Sequence, residues 1–188
     1  MSKRIRFILK IIPLLALSLC VAQSEPRHAS KQQTSFSAGE EFEHPVVLPS
    51  GALKALETSK LSAEMLRDCA VDEGIKVNEI PASWFVGSGI ELRRGRSSGL
   101  VVGAKHGCFW GAHITQFWLL SKNGANYYVV LTGRADGFRV LSKRTNGYCD
   151  VQLIFVAQAG AEITYVTFEY ANGEYVESDS RTERPYGN

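Results

Sequence analysis

The chain has 188 residues, 45% of them hydrophobic, 10% aromatic and 21% charged, with a formal charge of +2. This balance excludes a polycationic nucleic-acid binder and a disordered polyelectrolyte, and it supplies enough apolar surface for one packed core.

Lys3, Arg4 and Arg6 precede an apolar stretch from Phe7 to Ala22 that only Lys10 interrupts, and Ala22 and Ser24 are small. This is the layout of a secretory signal peptide over residues 1–22, cut after Ala22. The unbroken apolar run is about half of the ~20 residues a spanning helix needs, which disfavours a retained anchor. Cys20 offers a site for lipid attachment, although Leu19 stands where lipoprotein signals carry a small residue. Removing residues 1–22 takes four of the 21 basic residues and none of the 19 acidic ones, leaving 17 against 19, a balance of −2. The expected location is periplasmic or secreted, with neither nucleic acid nor membrane as partner. Cys69, Cys108 and Cys149 remain after cleavage. An oxidising compartment allows one disulfide among them and leaves one thiol over, with all three pairings open.

Residues 23–45 are rich in Ser, Gln and Lys and poor in large apolar side chains, the composition of a disordered tether. Residues 46–176 make one domain, and the polar residues 177–188 read as a tail. Ser50 is placed to cap a short helix through Leu53 and Leu56, and Ser62 a second one running to Asp72, with Gly74 as its stop. Leu61, Met65 and Cys69 recur every four residues, with Leu66 and Ala70 beside them, as one apolar stripe. The same spacing makes Cys69 readable as a buried core cysteine as well as a disulfide partner.

Beyond Gly74 the pattern becomes extended. Strands are predicted over 80–86, 90–93, 100–104, 114–120, 127–131, 138–141, 151–156, 163–170 and 174–176, all rich in β-branched and aromatic residues. Asn123-Gly124, Asp136-Gly137, Asn146-Gly147 and Asn172-Gly173, with the weaker Ala159-Gly160, supply hairpin corners. Their glycines are 13, 10, 13 and 13 residues apart, an antiparallel rhythm too short for βαβ units. The predicted fold class is α+β, with two short N-terminal helices packed on an antiparallel, largely meandering β-sheet.

The segment from Lys105 to His113 joins two predicted strands and carries His106, Cys108, Phe109, Trp110 and His113. His106, Phe109, Trp110 and His113 are the candidate binding residues, since aromatics bury much area with few torsions to freeze. His106, Cys108 and His113 have ligand chemistry but lack the paired spacing of closed metal sites, so no metal or cofactor is assigned. Arg93, Arg94 and Arg96 read as a solvated basic turn.

Gly107-Cys108-Phe109-Trp110-Gly111, continued by Phe117-Trp118, resembles the nucleophile motif of the A-type peptide methionine sulfoxide reductases. The resemblance implies a thiol-dependent reductase in which Cys108 attacks the sulfoxide and a second cysteine, Cys149 being one candidate, resolves it. The sequence departs from that family at His113, where the family has a glutamate, and it has no counterpart of the downstream Gly-Tyr-x-Gly-Gly segment. A histidine-bearing loop between strands is also similar in layout to exported bacterial lysozyme inhibitors. The stretch from Gly111-Ala112 through Thr145-Asn146-Gly147-Tyr148 to Tyr175 resembles a loose group of small exported bacterial proteins without an established activity. The resulting expectation is a non-catalytic binding protein of the cell envelope, directed at an envelope protein or cell-wall enzyme as inhibitor or immunity factor. The alternative is the reductase that uses Cys108.

Overall fold

The computed structural model describes residues 32–95 and 99–185. The signal peptide predicted over 1–22, Cys20 within it, and Arg96 lie outside the described residues. Helix α1 spans Ser50–Thr58 and α2 spans Ala63–Asp72. Extended Pro49 starts α1 by accepting from the amides of Ala52 and Leu53 at 2.8 and 3.0 Å, so Ser50 is the first helical residue and not the cap. Ser62 occupies the N-cap position of α2 as predicted, but its hydroxyl donates to the Leu56 carbonyl and ties the second helix to the first. Gly74, at φ +69°, ends α2, and Ile75 N–H closes back on Ala70 O at 2.9 Å. The face of α2 that is buried carries Leu66, Cys69 and Ala70, while Leu61 lies ahead of the helix and stays 40% exposed.

The strands are β1 (Ser35–Ser37), β2 (Phe85–Ile90), β3 (Gly99–Ala104), β4 (Thr115–Asn123), β5 (Asn126–Ala135), β6 (Gly137–Thr145), β7 (Tyr148–Ala157), β8 (Glu162–Ala171) and β9 (Glu174–Glu183). All pairings are antiparallel, in two meanders ordered β2-β3-β4-β5 and β1-β6-β7-β8-β9. The single sheet read from the sequence is therefore two. The reason lies at Asp136-Gly137, which is not a hairpin corner: Gly137 already has strand conformation, and the chain steps there from one sheet to the other. Asp136 stabilises the step by accepting Val156 N–H on Oδ2 at 2.7 Å and Ala38 N–H on its carbonyl at 2.7 Å. The remaining corners follow the residue chemistry. Asn146-Gly147, Ala159-Gly160 and Asn172-Gly173 hold positive φ at both positions, which asparagine and glycine tolerate best.

Three boundaries differ from the sequence reading. The predicted strands over 80–86 and 90–93 are one strand, β2, preceded by short 3-10 turns at Val77–Glu79 and Ala82–Trp84. Within the predicted tether, residues 32–45 belong to the fold: β1 pairs with β6, and Phe36 and Phe42 are 2% and 5% exposed. Two buried phenylalanines offset the ordering of a polar segment, and average composition hides them. Within the predicted tail, β9 continues to Glu183, where it still pairs with Ile163. Its ladder is made by backbone groups, so exposed polar side chains do not oppose it.

The core has two parts. One lies between the sheets and includes Ile90, Val101, Phe117, Leu119, Phe138 and Val151. The other joins the helices to the far side of the smaller sheet through Leu56, Leu66, Phe85, Val102, Trp118 and Leu120. The order is thus helices, four-stranded sheet, five-stranded sheet. Strand β3, in the middle layer, is buried at every position, and its Leu100-Val101-Val102 run reflects cover on both faces. The two sheets approach closely enough that a Cβ on Gly133 would collide with Leu153 Cδ1. The outer face of the larger sheet mixes apolar residues such as Ile154 and Tyr165 with polar ones such as Gln152 and Thr167. There Lys143 donates to Glu169 at 2.6 Å and lies 3.2 Å from the fully buried Asp150 carboxylate as an ion pair.

Candidate functional site

The segment between β3 and β4 is short and held at several points. The amides of Lys105 and His106 both donate to Trp84 O, at 2.7 and 3.3 Å, which stitches the segment to the 3-10 turn ahead of β2. His106 then starts a single 3-10 turn, Gly107–Phe109. That turn aims Phe109 inward, where it is 1% exposed and meets Phe85 and Trp118 at ring-centroid distances of 5.7 and 5.5 Å. Phe109 is therefore a core wedge and not part of a contact surface, which corrects its place among the candidate binding residues. Beyond it, Gly111 N–H donates to Ile114 O at 2.8 Å and closes the bend into β4.

Cys108, at the centre of this turn, forms a disulfide with Cys69 of α2, with Cα atoms 5.7 Å apart. The pairing selects one of the three open possibilities, and it makes Cys69 both a stripe residue of α2 and a disulfide partner. Cys149 does not resolve Cys108: it is a buried thiol that donates to Glu91 O at 3.4 Å, and burial raises its pKa. The single 3-10 turn at Cys108 is too short to carry a helix dipole that would activate a thiolate.

His106 is arranged around this disulfide. Its Nδ1 lies 3.1 Å from Cys108 Sγ and 3.5 Å from the Cys108 amide, which donates to it. Its Nε2 lies 3.7 Å from Glu73 Oε1, and the Trp84 indole stacks on the ring at 3.8 Å and 15°. The carboxylate at Nε2 and the amide N–H at Nδ1 together favour the tautomer with the proton on Nε2, leaving the Nδ1 lone pair toward the sulfur. Cys69 Sγ, Cys108 Sγ and His106 Nδ1 all lie within 4.8 Å of one another. Beside them runs a groove lined by Lys60, Glu64, Met65, Asp68 and Asp72.

Trp110 and His113 are the candidate residues that face solvent. Trp110 is 40% exposed, and its Nε1–H donates to Ala104 O at 3.2 Å. Its ring forms one wall of a cleft of about 300 Å³ that also takes in Glu40, Glu41, Phe42, Val86 and Lys105. Gly39, at φ +78°, brings the chain past the ring. His113 is placed apart from the cysteines and pairs with Asp136 Oδ1 at 3.4 Å. Of the basic turn, Arg93 lies over the Tyr148 ring at 5.1 Å.

The sequence reading brought His106, Cys108 and His113 together as neighbours in the chain. The fold replaces His113 with Cys69 and adds Glu73 and Trp84. Cys69 was legible only as a stripe residue and disulfide candidate; Glu73, at the C-cap of the same helix, and Trp84, from the turn before β2, carried no signal, because neither is near His106 in the chain. No protein-family model matches this chain, and neither a curated protein nor a solved structure is significantly similar to it. Among the described residues no helix is long and apolar enough to cross a membrane.

Proposed function

We propose that the protein is exported, with residues 1–22 as a cleaved signal, and serves in the cell envelope as a non-catalytic binding protein that blocks a cell-wall hydrolase. The observation that carries this reading is Trp110, a half-exposed indole held by a hydrogen bond at the edge of a cleft, on a segment pinned by a disulfide. A large aromatic fixed before association loses little entropy on binding, so its contact area is turned efficiently into affinity. His113 lies three residues beyond it and is exposed, and Glu40, Glu41 and Lys105 give the cleft polar groups for orientation. A disulfide is in keeping with an oxidising compartment. The test is inhibition: purified muramidases and amidases are assayed on peptidoglycan with and without the protein. One of them is inhibited, and Trp110→Ala weakens the inhibition by about 30-fold, the size of an aromatic hot spot of about 2 kcal/mol. Full activity of every hydrolase in the presence of excess protein rejects the proposal.

One observation favours a second reading, the thiol-dependent reductase. The imidazole beside Cys108 Sγ would accept the thiol proton once the disulfide is opened. Cys108 then attacks the sulfoxide sulfur and Cys69, not Cys149, displaces it, so that a sulfoxide and a dithiol give a thioether, a disulfide and water. Reduction of methionine sulfoxide with a dithiol donor, abolished in Cys108→Ser, supports this reading. Its absence dismisses it.

A further inference from the structure

We propose that the Cys69–Cys108 pair and His106 form a redox-gated site for a thiophilic d10 cation, closed as the disulfide and open as the dithiol. Three soft or borderline donors already converge there: two sulfurs and an imidazole nitrogen, all within 4.8 Å. In a tetrahedral Cys/His zinc set, with bonds of about 2.0–2.3 Å, donor atoms stand about 3.3–3.8 Å apart, so opening the disulfide and a small sulfur rotation reach that spacing. The imidazole is prepared for the role. Trp84 fixes its plane, and Glu73 faces Nε2, the nitrogen a metal would not use. A carboxylate on the remote ring nitrogen is the usual outer support of a metal-bound histidine, setting the tautomer and raising ligand basicity. The groove beside the pair carries Glu64, Asp68 and Asp72 against Lys60 alone, a field that draws in cations, and Met65 adds a thioether to its wall.

The gate is a two-electron step. A thiolate of an external dithiol attacks Sγ of Cys108, the less buried of the two cysteines, and expels Cys69 as thiolate. The donor's second thiol resolves the mixed disulfide, leaving the donor oxidised and both cysteines reduced. A cation then binds as the two thiols release their protons to solvent. Two thiolates and one imidazole suit Cu+ as a three-coordinate ion and Zn2+ with one position left to water.

The experiment titrates the purified protein, oxidised and after treatment with a phosphine reductant, with Co2+ as optical probe and with Zn2+ and Cu+ against chromophoric chelators. The expected result is one ion per chain with a sulfur-to-cobalt charge-transfer band in the reduced protein only. Glu73→Gln weakens binding by about 10–100-fold and His106→Ala by more, with the number of titratable thiols unchanged. Cys149→Ala leaves the affinity as it was. Preference between Zn2+ and Cu+ identifies the ion. Reduced protein that gives no such band, an oxidised form that binds equally well, or His106→Ala with undiminished affinity each overturns the proposal. If reduction unfolds the chain, refolding on addition of Zn2+, followed by circular dichroism, supports the site; a chain that stays unfolded with the ion present overturns it.

Discussion

Replacing both Cys69 and Cys108 by alanine removes a covalent link that closes a loop of 39 residues between α2 and the β3–β4 segment. In the chain-entropy treatment, closing a loop of that length lowers the entropy of the unfolded chain by about 13 cal/mol/K, or about 4 kcal/mol at 25 °C. Cys69 is only 4% exposed, so the lost sulfur contacts add to that figure. For a domain of this size each 1 kcal/mol moves the midpoint by about 2–4 °C, so melting should fall by about 8–16 °C. Urea unfolding of the oxidised protein and the double variant at one pH, with calorimetry in parallel, measures the difference. The cross-link acts on the unfolded chain, so the m-value should rise in the variant as that chain expands. A loss below about 1 kcal/mol would refute the entropic argument. A non-reducing peptide map that joins Cys149 to either cysteine would refute the pairing itself.

Three further outcomes follow from the same geometry. Phe109→Ala should cost about 3–5 kcal/mol, because its ring fills the space between Trp84, Phe85 and Trp118, whereas Trp110→Ala should cost about 1 kcal/mol for one hydrogen bond on a half-exposed ring. Denaturant midpoints in the reverse order would show that the segment is seated differently. In the native protein Cys149 should stay unreactive toward an aromatic disulfide reagent and react at once on unfolding, since burial both shields the thiol and raises its pKa above the ordinary 9.0. Rapid native labelling of Cys149, located by mass spectrometry, would contradict this. Stability should also decline in alkali. The Tyr175 phenol, buried and donating to Cys149 O at 2.7 Å, has a pKa pushed well above its ordinary 10.0, first by burial and then by the neighbouring Cys149 and Asp150. Both Cys149 and Tyr175 hold their protons in the fold after the unfolded chain has lost them, so their contribution is complete below pH 9 and lost as pH climbs. Tyr175→Phe should flatten the melting curve against pH above 10.0, and an unchanged slope would remove Tyr175 as the cause.

How far the site was legible follows from where its parts sit in the chain. His106 and Cys108 are two residues apart, and their proximity could be read directly. Trp110 and His113 lie on the same segment, where the sequence left open whether the indole packs inward or faces a partner, and both are exposed. Phe109 has the same local context, and nothing nearby shows that it turns inward, because its direction depends on the 3-10 turn and on the space left beside Phe85 and Trp118. Cys69 was legible as a stripe residue of α2. Its bond to Cys108, and the approach of Glu73 and Trp84 to the same imidazole, needed the docking of α2 and of the turn before β2 onto the smaller sheet.

The amino-acid order by itself determined the local geometry: the two helices, the Asn-Gly corners and the antiparallel return of consecutive strands within each meander. These depend on φ preferences and side-chain periodicity over a few residues, and such preferences act before any long-range contact exists. Only the tertiary structure decided that the strands divide into two sheets, that the polar segments at β1 and β9 join them, and that Cys69, His106 and Cys108 meet. Backbone pairing carries no mark in side-chain polarity. Sheet stacking is settled by which apolar faces cover each other across the molecule, and separation along the chain does not encode that choice.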